Sequence, residues 1–403
     1  MSDADRAHGA PPIQPGWHQL PARFSGGDGI RRRRRRRPGL VLGILGVVLA
    51  VLAVAGVQLG ANLRFDAAAE AHDTARADAV SAQRGLETET ADLQATTAAA
   101  DRLLANNTGL LMDGVPLDDL TAAVDEAKTA TGAAEELVGE TIPSAGEKPG
   151  WFWELFGAAD GLDAESADAD ELRSDISGQS PTLADAEESL TEAGVTVLSS
   201  AAAAAPAFEA AHISAKNLDV IDLRYAAEDA TAVETFDEDA VDRFTSLQTA
   251  AAQVAASQDA EMAEKQGPLL NARLEVEAFA RSLAPGVLLE FDWAPIVNGY
   301  GGSDSMGGYT TWWWEEPDRA VILLSDSVAE QWPQPWSKAL VAHEVGHAIS
   351  VKCEDMYDSS TQESIEAWAT AWAISMGFSD DANGTWAYGA PPQSYIDAAA
   401  GCR

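Results

Sequence analysis

The segment PWSKALVAHEVGHAIS, residues 335–350, carries Ala339, Leu340, Ala342 and Ala348 among its helix-compatible residues and reads as one helix from Pro335 through Ser350. Within it His343 and His347 stand four apart. On a helix, positions i and i+4 share a face, so both imidazoles reach toward one metal ion, while Glu344, one residue along, addresses a water at that metal. No cluster of cysteines competes for the ion, because Cys353 and Cys402 are the only two in the chain.

A hydrolytic zinc site needs a third protein ligand and one open position. No histidine follows His347, so a carboxylate must serve, and the downstream candidates are Glu354, Asp355, Asp358, Glu363, Glu366, Asp380, Asp381 and Asp397. The best of these stands on a second helix, Thr361 to Gly377, that can lie across the first.

On that second helix the run EAWATAWA, residues 366–373, resembles the E-x-x-A-D-x-x-A segment of gluzincin metallopeptidases. The resemblance spans roughly residues 319–377. It implies one zinc ion held by His343, His347 and Glu366, with Glu344 as general base in peptide-bond hydrolysis. Glu363, one turn before Glu366, is the reserve ligand. Where the family often has an aspartate that orients a ligand histidine, this chain has Thr370, whose hydroxyl can accept an imidazole N–H. Tyr357, Tyr388 and Tyr395 are candidate donors to a developing oxyanion.

Upstream, Val287–Phe291 and Arg319–Leu324 are β-like runs, and the Gly-rich stretch 298–308 separates the first from Tyr309–Trp314. Together they predict a small sheet. Nine of the twelve tryptophans lie between Trp293 and Trp386, which marks residues 284–403 as one compact, zincin-like domain. A peptide substrate is expected to add as an extended strand beside Tyr309–Trp314 or Arg319–Leu324. A disulfide between Cys353 and Cys402 would pin the C-terminal tail to the end of the metal-binding helix and contribute about 4 kcal/mol.

Residues 61–283 are rich in Ala, Glu, Asp and Thr and predict a helical stalk or bundle. Leu86, Leu93 and Ala100 recur at sevens, as do Leu183, Leu190 and Val197, with Ala186 and Ala193 between; Val241, Phe244, Leu247, Ala251 and Val254 form a third stripe. Breaks are expected at Asn106–Pro116, Ile142–Gly150 and Gly178–Pro181, with Ser180-Pro181 starting the helix that holds Leu183. The heptad stripes make homo-oligomerisation through this region an open expectation. The aromatic patch Trp151, Phe152, Trp153, Leu155 and Phe156 is expected to plug the space between hairpins, with docking to a neighbouring domain or a membrane as the alternatives.

At the far end, residues 38–60 predict a transmembrane helix: Pro38 to Val57 carry no charged residue, and the run reaches Leu63 with only Gln58 and Asn62 as polar interruptions. Arg31 to Arg37 precede it. Residues 1–37 hold nine arginines against three aspartates, a net +6, which leaves −44 of the total −38 for the remainder. Basic residues stay inside, so the tail is expected in the cytoplasm and the C-terminal domain outside the cell membrane. The Ala53-x-Ala55 pattern keeps a cleaved signal peptide as an alternative. A nucleic-acid partner is excluded by the acidic balance, the arginine block being accounted for by topology and anionic lipid.

The fold class expected is therefore α+β, mostly α: a single span, an extracytoplasmic helical bundle or coiled-coil-like stalk, and a small domain built on a short sheet and the HExxH helix. The function expected is a membrane-anchored zinc metallopeptidase. Two other readings use the same features: a zincin-like scaffold that binds without turnover, and a helical-bundle sensor or adhesion module.

Overall fold

The computed structural model describes residues 38–302 and 305–403, so the basic tail 1–37 lies outside the described residues. The chain is mostly helical, with one small three-stranded sheet. It divides into two compact units, one holding the described residues 38–66 and 148–158, the other 67–147 and 159–403.

The first helix, α1 (Pro38–Asn106), begins in the first unit and continues into the second. In the first unit its large apolar side chains, Leu40 through Leu63, are uncovered, with none of the most apolar stretch buried. The unit also holds the opening turns of α3 (Phe152–Ala211). Helices α1 and α3 are both long and apolar enough to cross a membrane. They differ in cover: a third of the apolar stretch of α3 is buried, and Val197, Leu198, Ala201, Ala202 and Ala205 of that helix belong to a bundle core.

That core fills the second unit's helical part. It joins residues of α1, α2 (Val115–Val138), α3, α4 (Asn217–Thr231) and α5 (Glu238–Glu264). The stripes read from the sequence supply it: Leu86, Leu93 and Ala100, then Leu183, Leu190 and Val197, then Val241, Phe244, Leu247, Ala251 and Val254 are all buried there.

One expected break is absent. Helix α3 runs unbroken through Gly178–Pro181, and Ser180-Pro181 starts nothing. Leu172, Ile176, Leu183, Ala186 and Leu190 are buried in one core on both sides of the proline. Burying each Leu or Ile is worth about 1.5–3 kcal/mol, which together exceeds the roughly 3 kcal/mol that an interior proline costs. Gln179 adds a tie to α2, donating to Ala130 O at 3.1 Å.

The helix before residue 284 packs into the core of the C-terminal part. Val276 and Ala280 of α6 (Leu270–Leu283) lie in the same core as the sheet and the HExxH helix. A buried ion network joins the parts: Lys265 Nζ lies 3.3 Å from Glu261 and 3.2 Å from Glu277, and Glu277 also accepts from Trp293 Nε1 at 3.1 Å.

Strands β1 (Leu288–Ala294), β2 (Gly308–Trp313) and β3 (Glu316–Ser325) are ordered β1-β3-β2, with β1 parallel and β2 antiparallel to β3. Because β3 is central, Arg319–Leu324 has no free edge for a peptide; β2 has one. A short helix α7 (Asp326–Glu330) leads into α8 (Pro335–Ser350), and α9 (Gln362–Ser375) lies against α8. Two small helices, α10 (Thr385–Tyr388) and α11 (Gln393–Ala399), end the chain. Cys353 and Cys402 are joined as a disulfide, with Cα atoms 6.0 Å apart.

Candidate metal centre

Helix α8 has the span its sequence predicts, with proline in its first turn, where the missing N–H costs nothing. From Ala339 to Ser350 every residue is buried. Helix α9 starts one residue later than expected, after Thr361, whose hydroxyl accepts from Ser364 N at 3.3 Å and caps the helix.

The two helices meet at a glycine. A Cβ on Gly346 would stand 2.8 Å from Ala369 O and 3.0 Å from Ala369 Cα, so this position in the motif must be bare for α9 to come this close. Glu366, one turn before Ala369, thereby faces the histidines. His343 Nε2 lies 3.2 Å from Glu366 Oε2 and 3.2 Å from His347 Nε2, and His347 Nε2 lies 3.1 Å from Glu366 Oε2. All three side chains are buried, and together they can hold one metal ion.

The surroundings set the tautomers and charges. Thr370 Oγ1 donates to Glu366 O at 2.8 Å, which leaves its lone pairs toward His343 Nδ1 at 3.4 Å. His347 Nδ1 is buried with no hydrogen-bond partner among the described residues, and its ring is stacked under Trp312 at 5.3 Å between centroids. Gln362 Nε2 donates to Glu366 Oε1 at 2.8 Å. Burial pushes the Glu366 carboxyl up, but hydrogen bonds from His343 and His347 outweigh it and hold the group well below the usual carboxylate range.

Glu344 is gripped from β2. Thr310 Oγ1 lies 2.7 Å from Glu344 Oε2 and 3.0 Å from Glu344 O, and a Cβ on Gly308 would stand 2.3 Å from Oε1. Burial raises the Glu344 carboxyl above its ordinary value, against the opposing charge of His343 and the Thr310 hydrogen bond. A buried carboxyl raised in this way holds a proton more readily than an exposed one, the direction a proton-transfer role needs.

Glu344 and His343 line two cavities. One of about 300 Å³ holds His347, Glu366 and the edge of β2 from Gly308 to Trp312. The other, of about 560 Å³, is lined by Met306, Trp336, Leu340 and Trp386 among others. Tyr388 faces both, with its ring stacked near His343 at 5.9 Å. Its phenol is pushed up to about 12 by burial and by the charges of Glu366 and Glu344, so it keeps its proton at neutral pH.

The candidates separate cleanly in space. Glu363 is exposed in the first turn of α9 and lies outside the cluster, a full turn before Glu366 along the helix. Of the three tyrosines, Tyr388 reaches the site; Tyr357 and Tyr395 pack on Trp368 instead. Glu354, Asp355, Asp358, Asp380, Asp381 and Asp397 do not join the histidines. The sequence reading missed Gly308, Thr310, Gln362, Trp312 and Gly384. A Cβ on Gly384 would stand 2.3 Å from Thr370 Oγ1 and 2.7 Å from His343 Nδ1. The Gly307-Gly308 pair before a β-like run was the one signal for any of them.

No protein-family model, no curated protein and no solved structure matches the chain.

Proposed function

We propose that this chain is a membrane-anchored, zinc-dependent metallopeptidase that hydrolyses peptide bonds outside the cytoplasm. The observation that carries the proposal is the convergence of His343, His347 and Glu366 beside a buried Glu344 held by Thr310. Their ligand atoms form a triangle with edges of 3.1–3.2 Å. A tetrahedron with metal–ligand bonds of about 2.0–2.1 Å has edges of about 3.3 Å, so two imidazoles and a carboxylate at this spacing suit zinc.

When bound, zinc supplies Lewis acidity at the substrate carbonyl and lowers the pKa of water to about 7. The chain's own residues do the rest. Glu344 accepts a proton at Oε1, the oxygen turned to Gly308, while Thr310 holds Oε2. As water adds to the carbonyl carbon and the C–N bond breaks, Glu344 returns that proton to the leaving amine. Tyr388, protonated, donates to the developing oxyanion. The substrate lies as an extended strand on the free edge of β2, which binds backbone without demanding a particular sequence.

The extracytoplasmic assignment is supported by the arginine block before an uncovered apolar helix, and by the disulfide. The test is zinc content and peptide hydrolysis of the full-length protein. Glu344→Gln is expected to keep stoichiometric zinc and lose hydrolysis, and Glu366→Ala to lose the metal. Undiminished turnover by Glu344→Gln would refute the proton role.

One observation favours a second reading, a zincin-like scaffold without turnover: among the described residues no carboxylate backs either imidazole, since Thr370 lies 3.4 Å from His343 Nδ1 and His347 Nδ1 has no partner there. Stoichiometric zinc without hydrolysis of any peptide in a diverse library would establish it.

A further inference from the structure

Trp151, Trp153 and Phe156, at the start of α3, expose 58%, 57% and 39% of their surface, whereas Leu155 among them is buried. The indoles of Trp151 and Trp153 stack at 5.2 Å between centroids, and Phe152 meets Trp153 edge-on at 4.9 Å. Trp151, Trp153 and Phe156 thus face outward rather than filling the space between hairpins as expected from sequence, while Leu155 is buried and Phe152 half-buried.

Gln58 fixes the level of the patch along α1, and Lys148, just before the patch, is paired with Asp66 of the same helix at 2.6 Å. Gln58 Nε2 donates to Gly150 O at 3.1 Å, and Gln58 Oε1 accepts from Phe152 N at 2.9 Å. Both ends of that amide are therefore spent on the turn that carries the tryptophans. Gln58 is also the first polar residue after the arginine block. From Leu40 to Gln58 an α-helix rises about 27 Å, close to the roughly 30 Å hydrocarbon thickness of a bilayer. The aromatic patch thus sits where hydrocarbon would give way to headgroups, next to the uncovered Leu59 and Leu63. Tryptophan prefers that boundary, because its ring is apolar and its N–H needs a polar partner.

We propose that Trp151, Trp153 and Phe156 form a second membrane contact, seated in the headgroup–acyl boundary of the extracytoplasmic leaflet and clamped to the span by Gln58. This rests on reading residues 38–60 as membrane-spanning.

The test uses the full chain in phosphatidylcholine–phosphatidylglycerol vesicles. The two native cysteines are joined, so an introduced cysteine is the only thiol to carry a fluorophore. Trp153→Cys reports the patch, Val48→Cys the span, and Tyr225→Cys an exposed reference. The label at 153 is expected to lose the iodide quenching seen at 225 and to be quenched best by a nitroxide near the lipid headgroup. Iodide quenching at 153 equal to that at 225, with the label at 48 quenched by a deep nitroxide, would overturn the patch and leave the span. Shielding from iodide at 153 without lipid quenching would mean that a second copy covers the patch, and would overturn it too. No lipid quenching at 48 would remove the span and the inference together.

Discussion

Thr370 shows how one side chain sets the strength of the site. Its hydroxyl spends its proton on Glu366 O and meets His343 Nδ1 only at 3.4 Å, where a carboxylate would hold the imidazole N–H firmly. Partners of this kind change metal affinity by about 10–100-fold. Thr370→Asp is therefore expected to tighten zinc binding by at least about tenfold, measured by competition with a chromophoric chelator; equal or weaker binding would show that Thr370 is not what limits affinity. Glu366 makes a second case, in the metal-free protein. Its folded carboxyl is held below the ordinary value of 4.5, so it contributes stability that is present above pH 4.5 and lost as the pH falls through its folded value. Glu366→Gln should lower the Tm of chelator-treated protein near neutrality, with the gap to the parent closing in acid; a gap constant with pH would contradict the depressed carboxyl. The histidine pair was legible residue by residue, because i and i+4 on a helix need no tertiary information, whereas Glu366 was chosen over Glu363 only through the resemblance. The grip on Glu344 was not: Thr310 and Gly308 come from a strand more than thirty residues away.

At the scale of elements, the crossing of α8 and α9 decides whether the motif becomes a site. Gly346 sits where the backbones touch, and a methyl group there would press on Ala369 O at 2.8 Å. Overpacking of this kind costs about 1–3 kcal/mol. Gly346→Ala is expected to push α9 back, carry Glu366 away from the histidines and weaken zinc binding more than it lowers Tm; unchanged zinc affinity by chelator competition would show that the close crossing is dispensable. Both helices were readable from sequence to within about two residues at each end, since capping and apolar content are local. Helix α3 was not, because Pro181 is a local stop signal and the burial that overrides it is shared among α1, α2 and α5. The sheet was read as three runs, but its order β1-β3-β2, which leaves β2 free and β3 enclosed, depends on pairings no single run encodes.

Across the whole molecule, the disulfide and the cores tie distant parts to the site. Cys402 is bonded to Cys353, just past the end of α8, and Trp372 Nε1 of α9 donates to Cys402 O at 2.9 Å. Closing a loop of 49 residues is worth about 4 kcal/mol through the unfolded chain. Replacing both cysteines by serine is expected to lower unfolding free energy by about that amount, read by denaturant titration with zinc content following at each step; a change under about 1 kcal/mol would mean the loop is already closed by packing. Helix α6 shares a core with the sheet and α8, so the candidate site is packed against residues that precede 284. The sequence by itself determined the helical character of the chain, the apolar run after the arginines and the pairing of two histidines on one helix face, because periodicity, hydropathy and i,i+4 spacing are properties of neighbours along the chain. Only the tertiary structure decided that Glu366 rather than Glu363 faces the histidines, that Tyr388 rather than Tyr357 or Tyr395 reaches the cavity, and that Trp151 and Trp153 point outward. Each of these is a choice of direction, and direction is fixed by what packs on the opposite side.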